Sequence, residues 1–210
     1  MITVWGEGRG FRVIWLLEEM GLPYKLRSVD LLAGADKDPE FLAINPAGFI
    51  PVLQDSDVVM VESVAIMEYL TERYGPTPLA PPPLHPAFPL YKQFLHLGEA
   101  GLQGPLFFGA AARNFGPESD RDSWTAALGM KIFESRRGIV RRRLAQSPYL
   151  AGDAFTAADI SVGYVLKWSL KWGRVSLDDI EQDYLARVTA RDGWKRALDT
   201  CQATKQFWAA

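Results

Sequence analysis

Apolar and polar positions follow two different rhythms along this chain. The first third changes rhythm often. Ile2 to Trp5 is a short apolar run that predicts a buried strand, and Gly6-Glu7-Gly8-Arg9-Gly10 predicts a flexible turn. Phe11, Ile14, Trp15 and Leu17 then recur at helical spacing up to Met20, where Gly21 stops the helix. Tyr24 to Val29 alternates like a strand. Asp38-Pro39-Glu40 opens a short helix, with Asp38 as its cap and Pro39 at its first position. Val52-Leu53 and Val58 to Val61 flank Gln54-Asp55-Ser56-Asp57, which predicts a hairpin. Ser63 to Tyr74 is helical again, with Ala65, Ile66, Tyr69 and Leu70 toward a core and Gly75 as its end. The order is βαβ, then α, then ββα. The first crossover implies a parallel pair and the hairpin an antiparallel one, hence a mixed sheet in an α/β domain at about 1–75.

The second rhythm begins after a proline-rich stretch, Pro76-Thr77-Pro78-Leu79-Ala80-Pro81-Pro82-Pro83-Leu84-His85-Pro86. So many prolines block helix and central strand alike, so 76–87 is a linker. Beyond it the spacing is helical, at about 88–113, 120–146 and 157–172, with shorter helices near the end. No β-rich window stands out, so 88–210 is predicted to be an all-α domain. Thr156-Ala157-Ala158-Asp159 follows capping-box logic, with Phe155 and Ile160 as its hydrophobic staple.

Composition adds little to this layout. The 210 residues are 48% hydrophobic, enough for a sizeable core, and the net charge is −2. That charge gives no global pull toward nucleic acid or a membrane surface. One cysteine, Cys201, excludes an internal disulfide and fits a reducing compartment. No signal peptide is visible at Met1-Ile2-Thr3-Val4-Trp5, and no apolar run approaches membrane-spanning length, so a cytoplasmic protein is expected.

The most specific stretch runs from Asn45 to Ser63. Ile50-Pro51 precedes a strand, where a proline cannot pair normally. An X-Pro bond there is a candidate for the cis form, which leaves the amide and carbonyl of the residue before it free. Glu62-Ser63 opens a helix, and a helix start is a carboxylate site. An extended peptide with a free α-carboxylate needs both features. Asn-Pro-x-Gly-x-Ile-Pro-Val-Leu followed by Glu-Ser-x-Ala-Ile resembles the glutathione site of cytosolic glutathione S-transferases. Tyr149-Leu150-Ala151-Gly152-Asp153-Ala154-Phe155-Thr156-Ala157-Ala158-Asp159-Ile160 resembles the segment that nucleates the helical domain of that family. The likeness is closest to bacterial members and covers about residues 1–200. It implies a thioredoxin-like N-terminal domain followed by an all-α domain, glutathione as co-substrate, a small hydrophobic electrophile as partner, a detoxification role and a homodimer.

The resemblance also distributes roles. The backbone of Ile50, next to Pro51, pairs with the cysteinyl unit of glutathione. Glu62 and Ser63 hold its γ-glutamyl end, and Lys37 stands where a basic residue meets its glycine carboxylate. Phe49 replaces a frequent polar residue. The reference thiol pKa is about 8.5 and only thiolate attacks well, so the sulfur needs a donor. The family places a Tyr, Ser or Cys after the first strand, and the loop Gly6 to Phe11 has none. Arg9 as a cation, together with helix-start amides at Gly10 and Phe11, is the substitute expected from these residues. Arg9 as a surface arginine is the alternative. Phe107, Phe108, Ala111 and Trp168 are expected to line an apolar wall for the electrophile in a cleft between domains, or else to be core, and Phe207-Trp208 to cover that cleft or pack locally. Arg12 is expected to be structural, paired with an acidic residue such as Glu62. The absent hydroxyl leaves a second reading open: a binding or assembly protein with this fold and no turnover.

Other motifs point less far. Gly6-x-Gly8-x-Gly10 resembles a dinucleotide fingerprint, but its third glycine comes one residue early and no second βαβαβ half follows. Arg136-Arg137 and Arg141-Arg142-Arg143 read as a solvated helix face rather than a nucleic-acid site. His85 and His96 lack metal-ligand spacing, so no metal is expected. Cys201 reads as a core thiol.

Overall fold

The computed structural model describes residues 1–31, 34 and 37–209. The chain groups into two compact units: residues 1–77 with 190–210, and residues 78–189.

The first unit is built on a mixed sheet in the order β2-β1-β3-β4. Its strands are β1 (Ile2–Trp5), β2 (Tyr24–Arg27), β3 (Val52–Asp55) and β4 (Val58–Val61). β1 runs parallel to β2 and antiparallel to β3, and β3 pairs with β4 as the expected hairpin. Helix α1 (Phe11–Met20) supplies the right crossover length, and Gly21 ends it in the left-handed conformation. Helix α2 (Pro39–Ile44) starts as the sequence predicts, with Asp38 Oδ1 accepting the Glu40 N–H at 2.8 Å. Helix α3 (Ser63–Arg73) buries Ile66 and Leu70, but its other core residues are Val64 and Met67 rather than Ala65 and Tyr69. Tyr69 instead donates its hydroxyl to Asp55 Oδ2 at 3.0 Å, as does Tyr74, and that bond to a carboxylate pushes the Tyr74 phenol up to about 12.

The last helices join this unit, not the helical one. Helices α9 (Asp192–Thr200) and α10 (Gln202–Ala209) pack with residues 1–77. The reason lies in α1, where Phe11, Val13, Ile14, Trp15, Leu16 and Leu17 are all fully buried. A helix apolar on nearly every side needs cover beyond one sheet. Phe11 meets Trp194 and Trp208 edge-on at 4.8 and 4.9 Å, Trp15 meets Trp194 at 4.8 Å, and the two tryptophans of the C-terminal segment stack at 5.2 Å. Trp208 therefore packs on α1 and α9 within the first unit, and the helical unit ends near Thr189 rather than at 210. Arg191 clamps Glu19 with two bonds of 2.8 and 2.7 Å on the same seam.

The second unit is helical. The run expected at 88–113 divides into α4 (Phe88–His96), a π-helical turn at Leu97–Gln103 and α5 (Gly104–Phe115). Pro105 has no N–H to give at the start of α5, so the hydrogen-bond ladder changes register there. Gly98 lies so close to Ser161 that a Cβ on it would fall 2.1 Å from the serine Oγ. The remaining helices are α6 (Trp124–Leu144), α7 (Ala157–Lys171) and α8 (Asp179–Thr189). Helix α7 is the hub, buried from Ala157 through Leu166. Its capping box forms as predicted between Thr156 and Asp159, and Phe155 and Ile160 are both buried. Asp159 also accepts the Leu150 N–H at 2.9 Å and the Tyr184 hydroxyl at 3.1 Å.

The expected solvated arginine face of α6 holds for Arg142, which is exposed, but three of its arginines are tied to the fold. Arg137 is buried and grips Glu181 with bonds of 2.5 and 2.7 Å, while Arg136 donates to the Gly101 carbonyl and Arg143 to the Leu150 carbonyl. Among the described residues no helix is long and apolar enough to cross a membrane.

Candidate functional site

Strand register brings the key residues to one end of the sheet. Trp5 is opposite Val52, and Val52 is opposite Val61. The residues one step beyond those pairs are Gly6, Pro51 and Glu62, so three separate segments converge there. The same end receives the starts of α1 and α3. Arg12, fully buried, donates Nη1 to Ser63 Oγ at 3.1 Å and so ties the two helix starts together. Arg12 is structural as expected, with the serine hydroxyl as the partner seen here.

Ile50-Pro51 is cis. Among the described residues the Ile50 amide and carbonyl make no hydrogen bond, which leaves both for an extended ligand. The loop is held from both sides. Asn45 donates Nδ2 to the Phe49 carbonyl at 2.7 Å, and Gly6 presses on Ile50 so closely that a Cβ would lie 2.4 Å from Ile50 Cγ2. Gly6 has φ +87°, which is open to glycine and unfavourable for other residues. Gly10 sits against Pro51 in the same way, its notional Cβ 3.3 Å from Pro51 Cβ. The close spacing of Gly6 and Gly10 is thus explained by packing against the Ile50-Pro51 loop.

Glu62 is exposed at the end of β4 with φ +71° and ψ 104°. That is a strained backbone for a residue with a side chain, held by the hairpin on one side and α3 on the other. It turns the carboxylate-bearing residue out at the helix start. Ser63 is buried next to it, and the first N–H groups of α3 are those a ligand carboxylate would meet.

The thiol end differs from expectation. Gly8–Gly10 form a 3₁₀ turn that runs directly into α1. The Gly10 N–H donates to the Glu7 carbonyl at 3.0 Å and the Phe11 N–H to the Gly8 carbonyl. Both amides predicted to be free are therefore used inside the turn, because the turn continues the helix backward by one step. The Phe11 ring is core. Arg9 stands half-buried in the turn, and Lys37 is exposed just before α2. Cys201 is fully buried, and burial together with Glu7 and Glu18 pushes its thiol up, away from reactivity.

The proposed electrophile residues all lie in the second unit. Phe107 and Phe108 touch each other on α5 and are partly exposed, Phe108 at 61%. Ala111 follows one turn later. Trp168 stacks on Trp172 at 4.9 Å, and Trp172 meets Phe115 at 4.8 Å, so an aromatic row links α7 to α5. Phe115 and Trp172 are not among the residues expected for the apolar wall: the helix predicted at about 88–113 stops short of Phe115, and Trp172 stands at the predicted end of 157–172. No cluster of metal-ligating side chains occurs among the described residues.

Comparison with known proteins agrees with this geometry. Residues 10–73 match the family model for the glutathione S-transferase N-terminal domain. A glutathione S-transferase-like protein, gedE, of Aspergillus terreus is 32% identical over 94% of this chain and 94% of its own. Glutathione S-transferase 3 of Zea mays is 35% identical over 70% of this chain and 68% of its own. The structure of the theta class glutathione S-transferase from Xanthomonas axonopodis pv. citri, with glutathione bound, superposes with a TM-score of 0.77 at 27% identity, covering 93% of this chain and 96% of that one. A thioredoxin-like unit with the Ile50-Pro51 loop and the Glu62-Ser63 helix start side by side, continued by a helical unit, places this chain in the cytosolic glutathione S-transferase family.

Proposed function

We propose that the first unit binds glutathione and that the protein transfers its sulfur to a hydrophobic electrophile, or carries out a related thiol transfer. One observation carries this reading: the unpaired Ile50 amide and carbonyl lie at the same sheet end as Glu62 and the start of α3. An extended tripeptide pairs its centre with Ile50 and places its γ-glutamyl carboxylate and amine against the Ser63 helix start and the Glu62 carboxylate. Lys37 is the proposed partner of the glycine carboxylate. Arg9 is the proposed cation near the sulfur. Phe107, Phe108, Ala111 and Trp168 are the proposed apolar surface for the electrophile. Cytoplasmic location, detoxification and a homodimer belong to the same reading.

The 3₁₀ turn favours a second reading in one respect. The Gly10 and Phe11 amides are used internally and the turn's sequence has no hydroxyl, so the loop alone supplies little for ionising a thiol. A glutathione-binding protein without turnover fits that fact. Calorimetry with glutathione and a conjugation assay against a generic aryl halide separate the two. Binding with turnover supports the transferase. Binding without turnover supports the binding protein. Glu62→Ala and Ser63→Ala are expected to weaken glutathione binding; unaltered affinity in both would reject the site.

A further inference from the structure

The loop between β1 and α1 has no hydroxyl of its own, yet the fold brings one to it. Thr204 is the third residue of α10 and 196 positions from Gly8 in sequence. The Gly8 N–H points to Thr204 Oγ1 at 3.5 Å. Glu7 Oε2 accepts the Thr204 N–H at 2.8 Å. The Glu7 carboxylate therefore sits on the first turn of α10, where open N–H groups and the helix dipole favour a negative charge. One turn further on, Trp208 packs on Phe11 and fixes the helix against α1. Thr204 is only 6% exposed, and among the described residues its hydroxyl proton is donated to nothing. A hydroxyl almost out of water with an unused proton is a donor waiting for an acceptor.

The other side of Gly8 faces the peptide-binding loop. A Cβ on Gly8 would lie 3.7 Å from Ile50 Cδ1. Gly8 therefore lies close to both Thr204 and the Ile50 side chain and carries no side chain of its own. On the reading above, a ligand paired on the Ile50 backbone would turn its central side chain toward this turn.

We infer that Thr204 supplies the hydroxyl that the β1–α1 loop lacks, donating a hydrogen bond to the thiolate of bound glutathione, and that Glu7 is the positioning residue that holds it there. The inference rests on the glutathione-binding reading above. The chemistry is an ionisation: the thiol proton leaves to solvent, the Thr204 hydroxyl keeps its own proton and shares it with the sulfur, and no other bond changes. A hydrogen bond to the charged form lowers a pKa. The loop thereby draws on the end of the chain for the group that a Tyr, Ser or Cys would otherwise provide, and α10 becomes part of the reaction site rather than a terminal brace.

The test uses the full chain and the variants Thr204→Val, Thr204→Ser and Glu7→Gln. Calorimetry first measures glutathione binding, and ultraviolet absorbance of the thiolate then follows the bound thiol from acid to alkaline pH. Thr204→Val keeps the shape and removes the hydroxyl. At a pH where the bound thiol is protonated it is expected to bind glutathione like the parent, while its bound-thiol pKa rises by about one unit, a tenfold loss of thiolate on the acid side. Thr204→Ser is expected to restore the parent titration, a result that packing alone does not produce. Glu7→Gln keeps an acceptor for the Thr204 N–H and is expected to shift the pKa less. Should the valine variant fail to fold, Thr204→Ala reads the same quantity. An unshifted pKa in the variant lacking the hydroxyl, with binding intact, overturns the role of Thr204 and leaves the binding reading standing. Absence of glutathione binding in the parent overturns both.

Discussion

Replacing Asp159 by Asn removes one charge from a fully buried carboxylate of the helical unit and hardly changes its volume. Its two oxygens divide the work. Oδ1 accepts the Leu150 N–H at 2.9 Å and the Tyr184 hydroxyl at 3.1 Å, and Oδ2 accepts the Thr156 N–H at 2.9 Å and the Thr156 hydroxyl at 3.2 Å. An amide has a single acceptor oxygen, so one backbone N–H always faces its NH₂ group. A buried N–H without an acceptor costs about 1–3 kcal/mol, which is the loss expected at pH 7. Burial also raises the Asp159 carboxyl, against those four donors, to about 6 from 3.8. A folded pKa above the unfolded one means that the stability linked to this proton is full at low pH and fades as pH rises through about 6. The whole effect is about 3 kcal/mol, of which about 1 kcal/mol returns between pH 7 and pH 5. Protonated Asp159 stays satisfied, because the Thr156 or Tyr184 hydroxyl rotates to accept from it. The amide cannot follow that change. Urea unfolding of both proteins at pH 7 and pH 5 should therefore show the difference between them widen by about 1 kcal/mol at the lower pH. Other carboxylates titrate alike in both and cancel. A difference that stays constant would mean that the four donors keep Asp159 ionised throughout, and the burial argument would fail.

Other consequences can be read at single positions. Arg137→Met leaves Glu181 charged and buried, which should cost about 3–5 kcal/mol in urea unfolding, and the double variant Arg137→Met with Glu181→Leu should recover most of it. Equal stability of the single and double variants would contradict this. Gly6→Ala places a Cβ 2.4 Å from Ile50 at φ +87°, so a loss of about 1–3 kcal/mol and weaker glutathione binding should appear together. Calorimetry that finds the parent affinity would dissociate the two loops. Arg9→Ala should raise the bound thiol's pKa through loss of a nearby cation, and an unchanged pH–rate profile would remove Arg9 from the mechanism. Light scattering should give twice the chain mass if the protein is the homodimer proposed, and a monomer mass rejects it.

Local rules reached a long way into this chain. Ile2–Trp5, Phe11–Met20 and the Val52–Val61 hairpin follow from apolar spacing and from the glycine and polar turn between them. Asp38 and the Thr156–Asp159 box are read from side chains that reach backbone groups two and three residues away, so neighbours in sequence suffice to specify them. The Ile50-Pro51 and Glu62-Ser63 pair was legible because each device acts on its own backbone, and the hairpin between them sets their spacing. The π-helical turn at Leu97–Gln103 was not read from the sequence: Pro105 marks where the ladder must change, but the helical spacing continues on both sides of it.

What the sequence determined by itself is most of the elements, the mixed sheet and the residues proposed to hold an extended peptide. Tertiary structure decided which groups surround the loop between β1 and α1. The amides of Gly10 and Phe11 look open in sequence and are closed by a 3₁₀ turn, while a hydroxyl absent from the loop arrives from Thr204. Even that had a trace in the pattern: α1 is apolar on more of its circumference than one sheet can cover. Periodicity can state that such a surface must be covered, but only packing chooses the cover. Here Trp194 and Trp208 bring the end of the chain back to its beginning.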